Sequence, residues 1–350
     1  MLSDQQKGGD RQGDPWFVLG VLTVVLLGQP TGTAAAEVFI GQGLVPVRNY
    51  QPIQGLSLQM PGESAIPLKR GELSLRADFA ETSTILREMT PAANGVLKFG
   101  QLRSAIGIRY GTAMEDVEVG LEIASIYRHS TGLDGLILAG ESFFDRVAPA
   151  RQQLKNSGFA YVLNRNGQTL LNGPNDAYGL TDAVLHAKGL MVTEGQYAPA
   201  VSLRLALNVP VGDRSRAFGT RVGDLGVGLA LQKTVWNRVV LYVNVNEILP
   251  TGQYLGVGLR GYFTSITGVE LMVTPQFSIT GQFDYYQSPF GNTGLKLLDK
   301  GVTEAVLAFG YRFTPTLLWQ IYGVENLDYI RDSAADFTLA TVLTYRIPPM

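Results

Sequence analysis

The chain has 350 residues, of which 17% are charged, 41 are Gly and none is Cys, and its formal net charge is −2. Without Cys there is no disulfide framework, thiolate metal site or Cys nucleophile, and near-neutrality argues against general nucleic-acid binding. No internal stretch stays apolar for the roughly 18 residues a spanning helix needs, which excludes a helical membrane protein.

Residues 1–36 read as an export signal. The apolar run 16–27 is followed by Gly28-Gln29-Pro30 and then Ala34-Ala35-Ala36, a small-residue cleavage site before Glu37. The n-region is atypical, because Lys7 and Arg11 are offset by Asp4, Asp10 and Asp14. As an uncleaved anchor the apolar run would be too short to span comfortably. Residues 37–71 carry Pro46, Pro52, Pro61 and Pro67 and read as an extended periplasmic lead-in, with the option of folding into the mouth of the domain that follows.

From 72 onward, alternate residues are consistently apolar in twelve runs: 72–81, 98–110, 115–127, 180–192, 199–209, 224–233, 238–247, 255–273, 276–286, 303–313, 317–327 and 335–347. Successive side chains of a strand face opposite sides, so each run has one greasy face and one smaller, more polar face. In 199–209, Val201, Leu203, Leu205, Leu207 and Val209 alternate with Ser202, Arg204, Ala206 and Asn208. In the last run Phe337, Leu339, Thr341, Leu343, Tyr345 and Ile347 share the greasy face.

Every second connection is short (111–114, 193–198, 234–237, 274–275, 314–316), and the others (82–97, 128–179, 210–223, 248–254, 287–302, 328–334) are mostly longer. Short turns at one rim, long loops at the other and an even strand number predict an all-β fold. It is a transmembrane antiparallel β-barrel of about 12 strands over 72–347, with short periplasmic turns and longer extracellular loops, in the bacterial outer membrane. Closure leaves no unpaired edge in lipid. Tyr110, Trp236, Phe277, Phe313, Trp319 and Tyr345 fall where a periplasmic girdle belongs, and Phe79, Tyr127, Phe283, Tyr285 and Phe337 at the opposite rim. A soluble β-sandwich explains neither the loop alternation nor the export signal.

Several segments resemble an uncharacterised group of bacterial outer-membrane proteins, domain of unknown function 3187. They are Pro46-Val47-Arg48-Asn49-Tyr50-Gln51-Pro52, Gly132-Leu133-Asp134-Gly135-Leu136-Ile137, Gly179-Leu180-Thr181-Asp182, Gly323-Val324-Glu325-Asn326-Leu327 and Ala335-Asp336-Phe337-Thr338. Their order along the chain is more specific than any one of them. The chain departs from the family pattern at Glu141, where a His is expected, and at Asn326, where an acid is usual. The resemblance implies an outer-membrane barrel and carries no established activity.

With greasy faces on lipid, the other faces line the lumen. The expected pore-lining residues are Arg76, Arg103, Arg109, Glu118, Glu122, His186, Lys188, Arg204, Arg260 and Arg312, joined by Asp78, Asp116, Glu270, Asp284 and Glu304. A tight turn at 111–114 would pair Arg109 with Asp116 and Arg103 with Glu122. The mixed signs predict weak ion selectivity at most. Small inward residues (Gly226, Gly228, Ala230, Gly256, Gly258, Ala308, Gly310) leave room on one wall. The expected occupant is loop 128–179, with a helix over 134–147 and a second over 149–158, acting as plug or constriction, or else a cap on the rim.

Nucleotide motifs fail on context. Gly256-Val257-Gly258-Leu259-Arg260-Gly261 opens no helix, and Glu141-Ser142 stands where a P-loop needs Lys-Ser/Thr. The two His and scattered carboxylates have no metal-ligand spacing, so neither metal nor cofactor is expected. A lipid-active barrel enzyme would need a Ser–His pair. His129 and Ser130 are adjacent and point to opposite sides of a strand, and His186 points inward. The sequence therefore predicts a non-enzymatic channel or uptake pore for an unknown small solute, with outer-membrane lipid and the export and barrel-assembly machinery as partners. The alternative is a non-conducting structural or surface-interaction barrel.

Overall fold

The computed structural model describes residues 41–130, 133, 135, 154, 157–327 and 333–349. The stretch expected to be an export signal and most of the two helices expected in loop 128–179 lie outside these residues. In chain order the strands are β1 (Leu73–Met89), β2 (Ala93–Gly111), β3 (Val117–His129), β4 (Ala160–Arg165), β5 (Gln168–Asn172), β6 (Ala177–Leu180), β7 (Ala183–Val192), β8 (Ala200–Val209) and β9 (Asp224–Val235). They continue as β10 (Val239–Pro250), β11 (Gln253–Tyr254), β12 (Val257–Gly258), β13 (Tyr262–Met272), β14 (Phe277–Tyr286), β15 (Val302–Thr314), β16 (Leu317–Asn326) and β17 (Phe337–Ile347).

Twelve of them close a ring, β1-β2-β3-β7-β8-β9-β10-β13-β14-β15-β16-β17, sealed by antiparallel pairing of β1 with β17 from Leu73↔Ile347 to Ser83↔Phe337. The greasy faces point out: Ile106, Leu205, Leu307 and Leu343 are 65%, 44%, 54% and 45% exposed. A sheet that leaves this many large aliphatic side chains outside is built for hydrocarbon, and the architecture is that of outer-membrane barrels. Tyr110, Trp236, Phe313, Trp319 and Tyr345 are exposed at the short-turn end, as an interfacial girdle requires.

Four expectations need correction. Residues 82–97 are not a loop: β1 and β2 stay paired up to Met89↔Asn94 and form a hairpin taller than its neighbours. β4 continues the wall there by pairing with β2 at 93–98. The run 255–273 is not one strand. Leu255 and Gly256, at φ +54° and +71°, turn β11 back onto β12, and the barrel strand starts only at Tyr262. Gly256 and Gly258 therefore leave no room in the barrel wall.

The fourth correction concerns the lead-in. Residues 42–60 are almost entirely buried, with Val45, Val47, Ile53 and Gln54 at 0% exposure, because this segment threads the lumen. It enters at the short-turn end, where Gln42 Nε2 donates to Gln276 O at 2.8 Å. It climbs past β13–β17 and bends through a 3-10 turn (Gln54–Leu56) beneath the long loops. There Gln51 and Gln54 donate to the Leu297 carbonyl at 3.0 and 3.3 Å. It then descends past β7–β10 to Leu68, whose N–H reaches Glu118 at 2.7 Å, before Gly71 and Gly111 join it to the wall.

Candidate functional site in the barrel lumen

The inner segment 41–68 forms no strand, and its four prolines explain why. Each removes an N–H and fixes φ, so the segment cannot add to the sheet. Its buried backbone groups must still be satisfied, and wall side chains satisfy them. Glu270 accepts from the Gln42 N–H at 2.9 Å, Asp224 from Leu58 N at 2.8 Å and Asn244 from Glu63 N at 2.9 Å. Arg204 donates to Pro61 O at 2.7 Å and Lys188 to Ser64 O at 2.9 Å, while Ser202 donates to Ala65 O.

Small wall residues receive the segment's side chains. A Cβ on Gly226 would collide with Met60, one on Gly268 with Leu44 and one on Gly310 with Gln42. Gly226, Gly310 and Ala230 had been expected to make room for loop 128–179; the described occupant is the lead-in. The described part of that loop sits at the long-loop rim instead. Tyr161 and Leu163 of β4 join Leu97, Phe99, Phe290 and Leu297 in an apolar roof over Ile53. Tyr161 also donates to Pro52 O at 3.1 Å.

Arg48 and Glu63 are the only charged residues in 41–68, and each meets the wall in a buried ion cluster. In the upper cluster, Glu122 accepts from Arg48, from Arg76 at 2.7 Å and from Arg103 at 2.6 Å, with Asp78 3.9 Å from Arg103. In the lower cluster, Glu63 sits among three cations. Arg109 pairs with its Oε2, Lys188 lies 3.3 Å from the same oxygen, and Arg204 Nε lies 2.6 Å from Oε1. Glu118 shares Arg109 at 3.1 Å and Lys188 at 3.2 Å. Asn244 and Asn246 each accept from Arg204 Nη1 at 3.0 Å. Glu63 belongs to the inner segment, not to a spanning strand.

Of the ten expected lining residues, Arg76, Arg103 and Glu122 meet in the upper cluster, and Arg109, Glu118, Lys188 and Arg204 in the lower. His186 faces inward beside the lower cluster, packed over Gly120. Arg312 lies half-buried near the short-turn end of β15. Arg260 is not in the lumen: it is exposed after β12 and donates to Ser288 O at 3.3 Å. Arg103 does pair with Glu122, whereas Arg109 pairs with Glu118 and Glu63 instead of Asp116. Asp116 sits in the turn at φ +57°, because the register runs Gly111↔Glu118, two residues past the expected turn. Sequence reasoning missed Glu63, Arg48, Asn244 and Asn246; two lone charges in a proline-punctuated, otherwise uncharged segment were the available signal.

The lumen charges are unevenly placed. Arg103, Arg109, Lys188 and Arg204 stand on β2, β7 and β8 beside Glu118 and Glu122 of β3, and Glu270, Asp284 and Glu304 stand on β13, β14 and β15 across the ring. Between the inner segment and the basic wall are two small gaps of about 70 and 30 Å3, the smaller bordered by Arg48, Glu63, Arg76, Arg109, His186 and Arg204. Such spaces hold one or a few waters, not a solute. On the other face of the wall, His129 Nε2 lies 3.1 Å from Glu81, and its ring stacks on Tyr127. That engages the imidazole with a carboxylate and a phenol.

The fold is similar to that of the COG4313 outer membrane channel from Pseudomonas putida F1, at a TM-score of 0.52 and 11% identity over 81% of this chain and 98% of that one. It is also similar to NanC porin, at a TM-score of 0.46 and 10% identity over 79% of this chain and 100% of that one. No curated protein sequence matches. The model of the family described as "Protein of unknown function (DUF3187)" matches residues 22–347, and the chain belongs to that family.

Proposed function

We propose that this protein is a gated outer-membrane channel for a small polar solute, closed at rest by its own inner segment 41–68. The observation that carries this reading is how the segment is held. It fills a polar lumen without entering the sheet and is fixed by side-chain hydrogen bonds and two ion clusters. A segment joined to the wall by strand pairing would tear the barrel on leaving; one held by side chains can leave while the ring stays closed. A second reading, a permanently closed structural barrel, is favoured by the small size of the remaining gaps.

Planar-bilayer recording separates the two. The wild-type chain gives infrequent openings, and deletion of residues 44–66 gives long-lived ones. The chain has no Cys, so an Ala65→Cys/Ala230→Cys pair, drawn from one buried cluster, tests the same point without deletion. The oxidised pair is silent and regains wild-type openings on reduction. Silence of the deletion variant, with the reduced and oxidised pairs alike, would leave the structural barrel standing.

A further inference from the structure

We infer that the Glu63 cage is a solute-binding site for a carboxylate, and that Glu63 is a resident stand-in for the solute. The inference rests on the gated-channel reading and names its substrate class.

Its basis is an asymmetry between the two ion clusters. When the inner segment leaves, Glu122 loses Arg48 but keeps Arg76 and Arg103, so the upper cluster remains paired. The lower cluster does not. Arg109 and Lys188 retain Glu118, but Arg204 loses its carboxylate and keeps only the neutral Asn244 and Asn246. Three clustered cations then face one carboxylate on the lumen wall. Like charges held this close repel one another, so the open state favours an anion at that point. The cage specifies its chemistry. One oxygen of Glu63 takes Arg109 and Lys188 and the other takes Arg204, which is the two-oxygen pattern of a carboxylate. The 30 Å3 gap beside Glu63 gives an incoming oxygen a place from which to compete.

Four neighbouring strands, β2, β3, β7 and β8, supply the cage. Glu118 lies opposite Lys188, and Lys188 opposite Arg204, on adjacent strands. Arg204 in turn faces Gly228, whose missing side chain leaves space for Asn246. A site built on paired strands persists when the segment departs. A solute carboxylate that takes the place of Glu63 would therefore hold the segment out, which couples binding to opening.

The test is calorimetric titration of succinate into the purified full chain in detergent, with neutral succinamide as the control. Glu63→Gln binds succinate, and the wild type binds it at least about tenfold more weakly, because its own carboxylate occupies the site most of the time. Adding Arg204→Gln to Glu63→Gln abolishes binding, and succinamide does not bind. Equal binding of succinamide, binding of inorganic phosphate in place of succinate, or no succinate binding by a folded Glu63→Gln chain would overturn the inference. Should Glu63→Gln not fold, the wild type decides: succinate, and not succinamide, raises its open fraction in bilayers, and no difference between them overturns the inference. Succinate binding without conductance in any variant would overturn the gate and leave the site, whereas conductance without binding would do the reverse.

Discussion

At the scale of single residues, the lower cluster depends on a side chain that is absent. Gly228 faces Asn246 across the β9–β10 pair, and a Cβ there would collide with the Asn246 amide oxygen that accepts from Arg204. Gly228→Ala should therefore turn Asn246 away, loosen Arg204 and weaken docking of the segment by about 1–3 kcal/mol, the usual cost of overpacking. Limited proteolysis measures it: residues 41–68 become cleavable in folded protein, whereas Gly258→Ala, with open space around its Cβ, changes nothing. The residue scale is also where the sequence was half legible. Alternation assigned Arg103, Lys188 and Arg204 to the inner face, because a period of two needs no knowledge of partners. Partners depend on register, and the two-residue displacement of the β2–β3 turn moved Arg109 from Asp116 to Glu118.

At the scale of elements, the inner segment is shaped by what its prolines forbid and the tall hairpin by what covers it. Residues 82–86 of β1 are all buried, so period-two alternation vanishes and the stretch looked like a loop. Leu255, Val257 and Leu259 kept the phase of the next strand by coincidence, and the left-handed turn at Leu255 and Gly256 left no mark in the apolar pattern. The ascending limb allows a test independent of charge. Leu44 packs among Val240, Tyr242 and Ile266, over Gly268. Gly268→Val, a good strand residue that collides with Leu44, should expel this limb and lengthen channel openings toward those of the deletion variant. Gly281→Val, on the same hairpin with nothing near its Cβ, should leave the openings as they are, and single-channel recording of the two distinguishes a displaced segment from a damaged wall.

At the scale of the whole molecule, the near-zero net charge conceals a field. The inward positions of the ring strands carry Arg76, Arg103, Arg109, Arg128, Lys188, Arg204, Arg312 and Arg346 against Asp78, Glu88, Glu118, Glu122, Asp224, Glu270, Asp284 and Glu304. The signs balance in number, as composition suggested, but composition has no means of locating them. Most of the cations sit on β1–β8, where they outnumber Asp78, Glu88, Glu118 and Glu122, while Glu270, Asp284 and Glu304 sit on the far side of the ring. An emptied lumen should then carry a transverse field without net selectivity, because an ion crossing it passes both walls within a Debye length of about 8 Å at physiological salt. In a tenfold KCl gradient the deletion variant should reverse near zero. Lys188→Gln with Arg204→Gln, made in that deletion, should shift the reversal potential toward cations, and Glu270→Gln with Asp284→Asn should shift it toward anions. Equal shifts of opposite sign would mean that the two walls are separately exposed to the conducting path; a shift from one pair alone would place the path against that wall only.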